Sequence, residues 1–421
     1  MAGRSLQIWL HGEHVADLVT TTRGALRCRY TDQALARWPG NTPVLSCSLP
    51  LDDRPLPAEA FLRGLLPEGN ALNALAARAD VPASDTFGLL ARYGRDIAGA
   101  VVFSDGPPDT GRYAVEPYSE DGLASEVAGL EQLPLGVHDD SELSLAGLQN
   151  KMLLVALPGG GWGRPVHGQP STHILKVDNA AWPGLIEAEA ACLALAEAGG
   201  LTAIEPVVAR IGAQPCLIVA RYDRRTAGKA VERVHQEDCC QALGRTAKYQ
   251  SRGRGGPSLA EIAALLERYA ADPEGQLRQL LAAATFTLAI GNGDAHGKNL
   301  ALLHDPVGAV RLAPLYDTCP TVMWPRLRTE LAMALDGRHS LYDCDRRRLH
   351  DEARRWSLPE ETARDVVDST LESLRNALDA GVIAAGSHLA LTIGRRVENL
   401  LLGDQPTGRG GSLRVRRRAR R

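Results

Sequence analysis

Residues 290–299 read Ile-Gly-Asn-Gly-Asp-Ala-His-Gly-Lys-Asn, and they bring an acid, an imidazole, an amine and an amide within six positions. Glycines interrupt the polar residues, and apolar residues precede and follow them, which is typical of a loop between two buried elements. A second acid, Asp317, ends the run Leu-Ala-Pro-Leu-Tyr-Asp. The intervening residues 300–313 are short enough for a hairpin, which would return Asp317 to the side of Asn299.

These residue types suit phosphoryl transfer, which depends on positioning and on positive charge around the transferred group. Asp294 can orient a hydroxyl and accept its proton, and Asn299 and Asp317 offer the hard oxygen ligands that Mg²⁺ prefers. An Asp, an Asn five residues later and an Asp after a short hairpin follow the spacing of protein kinases. We therefore predict phosphoryl transfer from ATP, with Lys298 near the γ-phosphate and His296 holding the loop by hydrogen bonds.

Two upstream segments supply the remaining parts of a nucleotide site. Lys176 is flanked by apolar residues on a predicted strand, as is the kinase lysine that holds the α- and β-phosphates. The glycine-rich run 159–163 fits neither phosphate-loop pattern and is interpreted as a hairpin loop between two strands. The polar stretch before the first of those strands is instead the predicted phosphate loop, and its candidate residues are Ser144, Gly147, Gln149 and Lys151.

The helix predicted after Lys176 opens with Glu187 and Glu189. Either acid can pair with Lys176, and either is equally explained as a first-turn acid that complements the helix dipole. A metal hydrolase is an alternative in which Asp294, His296 and Asp317 bind a transition metal. That interpretation lacks a second histidine cluster and does not explain the lysines.

Composition and charge limit the class of protein. The chain has 421 residues, 44% apolar and 23% charged, which predicts a folded protein of two or more domains or lobes. No apolar run approaches the roughly 18 residues of a membrane span, and the N-terminus lacks the apolar core of a signal peptide. Eight scattered cysteines without a Cys-x-x-Cys pair indicate reduced thiols. We expect a cytoplasmic protein without a membrane partner.

The predicted fold class is α+β, with a protein kinase-like two-lobe fold. Residues 1–110 form a small N-terminal α+β domain, and a connector over 110–140 follows. Residues 111–220 form the kinase N-lobe with the phosphate loop and the lysine strand, and 221–407 form an all-helical C-lobe. Residues 408–421 carry seven arginines and no acid, which predicts a disordered tail, either seeking a polyanion or simply solvated.

The chain resembles the HipA-family serine/threonine kinases, the toxin partners of HipA–HipB toxin–antitoxin modules, along nearly its whole length. The N-terminal domain carries the family's signatures at residues 64–69 (Gly-Leu-Leu-Pro-Glu-Gly) and 94–100. The signatures of the kinase part lie at residues 144–151, 172–176, 234–238, 292–299 and 312–317.

The resemblance implies a kinase-like fold with Asp294 as catalytic base, Asn299 and Asp317 on Mg²⁺, and Lys176 on ATP. It also implies that Ser144 is autophosphorylated, and a phosphate there would add about two negative charges and repel ATP. The implied partner is a small HipB-like helix-turn-helix antitoxin that tethers the kinase to operator DNA. Family members phosphorylate proteins of translation, notably aminoacyl-tRNA synthetases.

Two features depart from the family pattern. Ala220 stands before Arg221 where the family usually has Glu, which leaves Asp223 as the better candidate for an adenine or ribose contact. The arginine-rich tail is not part of the pattern. Two alternatives remain open from the sequence: a small-molecule kinase of the same fold, and a non-catalytic, DNA-tethered transcriptional co-regulator.

Overall fold

The computed structural model describes residues 4–130, 150–178, 181–227, 230–250, 253–324, 326–327 and 329–407. The predicted phosphate-loop residues Ser144, Gly147 and Gln149, and the tail 408–421, lie outside these ranges. In the described part of the chain no helix combines the length and the apolarity that a membrane span requires. All eight cysteines are free thiols, in agreement with the prediction.

The N-terminal domain is a five-stranded antiparallel sheet covered by helices. Leu6, Ile8 and Leu10 alternate with less buried neighbours, so one face of the first strand enters the domain core. Asp85 caps the helix that begins at Thr86 by accepting from the Gly88 N–H. The strands, in the sheet order β4-β3-β2-β1-β5, are β1 Ser5–Leu10, β2 Glu13–Thr20, β3 Leu26–Tyr30, β4 Leu56–Pro57 and β5 Val101–Ser104. The helices are α1 Asp32–Arg37, α2 Glu59–Gly64, α3 Gly69–Arg78 and α4 Thr86–Tyr93.

A second, six-stranded sheet follows, and the long helix Leu185–Ala198 packs against one of its faces. The run 159–163 turns the chain between the second and third strands of this sheet, as predicted. The predicted connector over 110–140 is wrong in part, because it contains a strand and a helix whose Leu123 and Val127 are buried against the sheet. The strands are β6 Ala114–Pro117, β7 Lys151–Ala156, β8 Trp162–Val166, β9 His173–Val177, β10 Pro206–Ile211 and β11 Gln214–Ala220, in the order β10-β11-β9-β7-β8-β6. The helices are α5 Glu120–Gly129 and α6 Leu185–Ala198.

The rest of the chain has a helical core, but the prediction of an all-helical C-lobe is wrong. Short hairpins surround the loop 290–299, because the chain must reverse direction there to bring polar residues to the cleft. The helices are α7 Cys239–Ala242, α8 Leu259–Tyr269, α9 Pro273–Ile290, α10 Arg346–Ala353, α11 Glu360–Asp379 and α12 His388–Leu401. The strands are β12 Arg224–Ala227, β13 Ala230–Arg233, β14 Gln236–Asp238, β15 Ala301–His304, β16 Val310–Leu312, β17 Glu330–Leu335 and β18 Arg338–Ser340.

Local capping determines where helices α8 and α9 begin and where α9 ends. Ser258 and Glu261 form the predicted capping box of α8, each side chain bonding to the backbone of the other. Asp272 caps α9 and Pro273 occupies its first turn. Gly291 ends α9 with φ +78°, a left-handed conformation that favours glycine, and the chain then leaves the helix axis toward the cleft.

A buried ionic cluster joins the N-terminal domain to the segment between the two lobes. Asp96 accepts from Arg224 Nη2 at 3.0 Å and from the Ser171 N–H at 3.0 Å. Asp223 accepts from Arg221 and from the Gly99 N–H at 2.7 Å. These side chains are almost fully buried, so each charge needs the others to offset its desolvation. The signature at residues 94–100 therefore docks the N-terminal domain against this segment, residues 221–224, which we call the hinge.

Candidate active site

A cleft of about 400 Å³ lies between the six-stranded sheet and the C-lobe. Its volume is in the range of small-molecule and cofactor pockets. One end is apolar and the other end carries most of the charged side chains. The lining side chains at the charged end are Glu68, Lys151, Lys176, Glu189, Asp238, Lys248, Asp294, His296, Lys298, Asn299 and Asp317.

Lys176 is the centre of an ionic group at the charged end. Its Nζ donates to Glu189 Oε1 at 2.6 Å, and it also contacts Asp317 Oδ1. Burial lowers the pKa of Lys176, but Asp317 and Glu189 outweigh burial and raise it above its usual value. Glu187 lies on the same helix but is exposed, so the structure assigns the pairing with Lys176 to Glu189.

Asp317 reaches Lys176 by way of the predicted hairpin. Strands β15 and β16 pair in antiparallel register, with Leu302 opposite Leu312, and this pairing returns the chain to the cleft. Asp317 itself has φ +50°, a conformation that is uncommon for a residue other than glycine and recurs at functional sites. Burial raises the pKa of its carboxyl, but Lys176 and Lys151 outweigh burial and lower it to about 2.

Hydrogen bonds within the loop, and one from Tyr249, hold the loop after α9 in shape. The Asp294 carbonyl accepts from the His296 N–H at 2.7 Å and from Asn299 Nδ2 at 3.0 Å. Asn292 Oδ1 accepts from the Asp294 N–H at 2.9 Å. The Tyr249 hydroxyl donates to Asp294 Oδ1 at 2.5 Å, which fixes the direction of that carboxylate. The loop therefore presents Asp294 and Asn299 side by side at the cleft.

His296 is buried beside Asp294 at the charged end of the cleft. Its ring lies edge-on to Tyr249 with the ring centroids 5.0 Å apart. Burial lowers the pKa of His296 to about 4, so the imidazole is neutral at pH 7. Its backbone carbonyl accepts from the Asn299 N–H at 2.8 Å. These hydrogen bonds come from the His296 backbone, so the predicted role of the residue in holding the loop and its predicted contact with ATP both stay predictions.

Two further lysines lie in the cleft. Lys298 Nζ is 2.7 Å from Glu68 Oε1, a contact that crosses from the C-lobe to the N-terminal domain. Lys151 opens β7 directly opposite Lys176 in the sheet. Burial lowers the pKa of Lys151 to about 8, although Asp317 raises it and Lys176 lowers it further. Both lysines line the charged end of the cleft, and their predicted contacts with phosphate stay predictions.

Asp223 lines the cleft but is occupied by the hinge cluster. Arg221 donates to both carboxylate oxygens, at 2.9 and 2.8 Å, and Gly99 donates to one of them. Burial raises the pKa of Asp223, but Arg221 and Arg224 outweigh it and lower the pKa below its usual value. This geometry assigns Asp223 to the hinge structure, and its predicted nucleotide contact stays a prediction.

Aromatic and aliphatic side chains next to the hinge form the apolar end of the cleft. Tyr222 and Tyr316 stack with their ring centroids 5.3 Å apart, and the Tyr316 hydroxyl donates to the Lys298 carbonyl at 2.7 Å. The aliphatic side chains that line this end are Ile174, Leu193, Ile204 and Val219. A flat heteroaromatic base fits such a surface.

Four polar residues of this site were not identified from sequence as site residues: Glu68, Asp238, Lys248 and Tyr249. Glu68 and Asp238 lie inside motifs that carried the family resemblance, but nothing in the local pattern indicates a role. The metal-hydrolase alternative finds no support among the described residues. The one group of three potential ligands there is Cys47, Glu237 and His304, and none of these lines the cleft.

Comparisons with known proteins agree with this fold. Residues 6–104 match the model of the HipA N-terminal domain, and residues 143–378 match that of the HipA-like C-terminal domain. A putative kinase, Y4mE of Sinorhizobium fredii, is 36% identical over 395 residues, which cover 90% of this chain and 93% of that protein. The serine/threonine-protein kinase toxin HipA of Shewanella oneidensis is 29% identical over 307 residues, covering 69% of this chain and 70% of the toxin.

A solved structure shows the same overall fold. It is the complex of HipA, HipB and operator DNA from the toxin–antitoxin system of Shewanella oneidensis. One of its chains superposes with a TM-score of 0.78 at 25% identity, covering 94% of this chain and 96% of the other. The fold and the cleft thus define a kinase-like protein of mixed helices and sheets. The chain belongs to the HipA family of kinases.

Proposed function

We propose that this protein is a cytoplasmic, ATP- and Mg²⁺-dependent serine/threonine protein kinase that acts as the toxin of a HipA–HipB-like module. One observation carries the proposal. Lys176 contacts both Glu189 and Asp317 in a cleft whose wall also presents Asp294 and Asn299. A lysine–glutamate pair, a base and two metal-ligating side chains are the parts that kinases use for phosphoryl transfer.

We assign the adenine of ATP to one end of the cleft and its phosphates to the other. The adenine would lie between the aliphatic side chains and Tyr222, at the apolar end. The phosphates would lie at the charged end, where Lys151, Lys176 and Lys298 supply positive charge. Burial of these lysines strengthens their attraction for phosphate oxygens, because the local dielectric is lower than that of water.

The donor atoms at this end fit a magnesium ion. Asp317 offers a carboxylate held in its charged form, and its contact with the Lys176 ammonium shows that it attracts a cation here. Asn299 Nδ2 donates to the Asp294 carbonyl, so Asn299 Oδ1 is the amide atom left for a metal. When bound by these residues, Mg²⁺ would neutralise charge on the β- and γ-phosphates.

Asp294 would act on the acceptor. Tyr249 occupies Oδ1 of its carboxylate, and we assign Oδ2 to the hydroxyl of the incoming serine or threonine. The carboxylate aligns that hydroxyl with the γ-phosphorus and takes its proton as the new P–O bond forms. Lys176 and Lys151 stay on the phosphates and stabilise the charge that moves to the leaving oxygen.

Regulation and partners follow from membership of the family. We propose Ser144 as an autophosphorylation site, since it lies in the segment predicted to cover the phosphates, with Gly147 and Gln149. The proposed partner is a HipB-like helix-turn-helix antitoxin, with operator DNA bound mainly through it. The composition of the Shewanella oneidensis complex supports this proposal. The proposed substrate is a protein of translation, such as an aminoacyl-tRNA synthetase.

The test compares wild type with Asp294→Asn. Cells expressing each protein would be analysed by phosphoproteomics, and each purified protein would be incubated with Mg-ATP and examined by mass spectrometry. We expect phosphate on a protein serine or threonine, including Ser144, only with wild type, and Ser144→Ala should lose that one site. Equal phosphorylation by Asp294→Asn would contradict the assignment of the base. ATP turnover without protein phosphorylation would favour a small-molecule kinase, and failure to bind ATP would favour a non-catalytic regulator.

A further inference from the structure

The carboxylate of Glu68 lies in the catalytic cleft, although Glu68 belongs to the N-terminal domain. Its Oε1 is 2.7 Å from Lys298 Nζ, and its Oε2 is 2.9 Å from Lys248 Nζ. Glu68 immediately precedes helix α3, but its side chain makes no capping hydrogen bond to that helix. The carboxylate is therefore committed to the two lysines and not to its own domain.

The neighbouring residues hold Glu68 in this position. Leu65 and Leu66 are buried in the core of the N-terminal domain, which anchors the chain just before the loop. Gly64 lies so close to Gln241 of α7 that a Cβ there would be 2.4 Å from Gln241 Cγ. Gln241 Nε2 also donates to the Phe61 carbonyl at 2.8 Å. Helix α2 is thus docked directly on the C-lobe, and it delivers Glu68 to the cleft.

Lys248 connects Glu68 to the catalytic loop. The Lys248 carbonyl accepts from the Gly297 N–H at 3.1 Å, so the backbone at 248 is bonded to the loop that carries Lys298. The next residue, Tyr249, donates its hydroxyl to Asp294 Oδ1. A shift of Lys248 would therefore move both the hydroxyl that orients Asp294 and the backbone partner of Gly297.

We infer that Glu68 is a positioning residue of the phosphoryl-transfer site. It holds Lys248 and Lys298 in the cleft and, through Lys248, fixes the Tyr249 hydroxyl against Asp294. The inference rests on the proposed function and deepens it, because it makes the N-terminal domain a part of the active site.

The charges explain why a carboxylate is needed at this position. Two lysine ammonium groups lie within 3 Å of the same carboxylate, so the group carries a net charge of about +1. Without the carboxylate the two ammonium groups would repel each other in a partly buried setting. Lys248 would lose this ion pair, whereas Lys298 would keep Asp238 as a nearby acid. Glu68 also lines a second groove, of about 640 Å³, between helices α2–α3 and residues 245–249 and Arg254. It therefore stands where that groove joins the nucleotide cleft.

The experiment measures kcat and KM for ATP in Glu68→Gln, using the full-length protein, Mg-ATP and phosphate incorporation. Glutamine keeps the size of the side chain and removes the charge. We expect kcat to fall about 10- to 100-fold, as for a small misplacement of reacting groups. We expect the KM for ATP to change less than about threefold, because two of the three phosphate lysines, Lys176 and Lys151, are untouched and only Lys298 loses a partner. Titration with a fluorescent nucleotide would measure the fraction of protein molecules that have a nucleotide-binding (competent) site, and a thermal melt would check folding.

Two comparisons separate positioning from a merely structural role. Glu59→Gln is the matched control, because Glu59 is an acid of α2 that pairs with Arg63 and lies outside the nucleotide cleft. It should leave kcat unchanged. In a double-mutant cycle with Lys248→Met, the double variant should be no slower than the slower single variant, since both changes break one chain of contacts.

Each result decides the question. Three outcomes would overturn the inference and leave the proposed function standing. They are a kcat of Glu68→Gln within twofold of wild type, effects of the two substitutions that multiply in the double variant, and a loss of kcat equal to the loss of competent sites. A wild-type protein that transfers no phosphate would overturn the proposed function, and the inference with it. The wild-type reaction and its Asp294→Asn control therefore distinguish the two failures.

Discussion

Lys176 Nζ lies 2.6 Å from Glu189 Oε1, and each side chain is only 5% exposed. The pair joins strand β9 to helix α6 beneath the cleft, and the same ammonium group contacts Asp317 from the C-lobe. One lysine thus holds together the sheet, the helix and the segment that we assign to metal binding. Its position depends on both lobes being in place.

The first prediction concerns this pair. Glu189→Gln removes the charge that holds Lys176, and we expect kcat/KM for ATP to fall about 10- to 100-fold. That loss corresponds to one charge-assisted hydrogen bond. Steady-state kinetics would measure it. Glu187→Gln is the matched control, because Glu187 is exposed on the same helix, and it should stay within twofold of wild type. A larger effect at 187 than at 189 would reverse the assignment.

The second prediction concerns Tyr249. Tyr249→Phe keeps the ring against His296 and removes the hydroxyl that donates to Asp294 Oδ1. We expect kcat to fall about tenfold, since one hydrogen bond to a charged group is lost, with little change in the melting temperature. Single-turnover measurements would isolate the chemical step. Tyr269→Phe, a change on helix α8 outside the cleft, should leave the rate as it is, and an equal effect of both changes would argue against the orienting role.

The third prediction concerns the hinge cluster. Asp96→Asn removes one of the two buried carboxylates, Asp96 and Asp223, that pair with Arg224, and we expect the free energy of unfolding to fall by about 3 kcal/mol. Urea denaturation would measure the difference. Asp85→Asn breaks the exposed pair with Arg4 but keeps a side chain that can cap α4, so its cost should stay below about 1 kcal/mol. Equal costs would show that burial does not set the strength of the cluster.

The fourth prediction concerns pH and Asp238. Burial raises the pKa of this carboxyl to about 6, although nearby Lys298 and the Gln241 N–H lower it. In the unfolded chain the carboxyl titrates near its ordinary value, about 4. Between about pH 4 and pH 6 the folded state therefore binds more protons than the unfolded state, and this residue's contribution to stability falls as pH rises.

Asparagine at this position can still cap helix α7 but does not titrate. The stability of wild type relative to Asp238→Asn should therefore fall by roughly 2–3 kcal/mol between pH 4 and pH 7. Urea denaturation of both proteins across this range would measure the difference. A difference that does not change with pH would show that the folded protein does not perturb this carboxyl.

Sequence reasoning located the loop at 290–299, the returning acid Asp317 and the strand lysine Lys176, because each lies in a local pattern of polar residues within apolar runs. The structure brings these three to one cleft. The prediction of an all-helical C-lobe was wrong, in part because a short strand such as β14 acquires its partner β15 only through long-range pairing. Such pairing leaves little signal in a window of a few residues.

Other features depended on contacts between distant segments. Glu187 and Glu189 were equivalent by position in the helix, and only the packing of α6 against the sheet buries one and exposes the other. Asp223 looked available for a nucleotide, but Arg221 and Gly99 occupy its oxygens. Glu68 and Tyr249 gave no local indication of a role, because their partners are 230 and 45 residues away in the chain.

The sequence by itself determined the chemistry: which acids, amides and lysines are available, and the spacing at which a short loop and a hairpin can present them. The reason is that spacing within a loop and alternation along a strand are local properties of the chain. Only the tertiary structure decided which of these side chains are paired, buried or free to meet a ligand. Burial and ion pairing depend on segments far apart in the chain, and here they join the N-terminal domain to the catalytic cleft at Glu68.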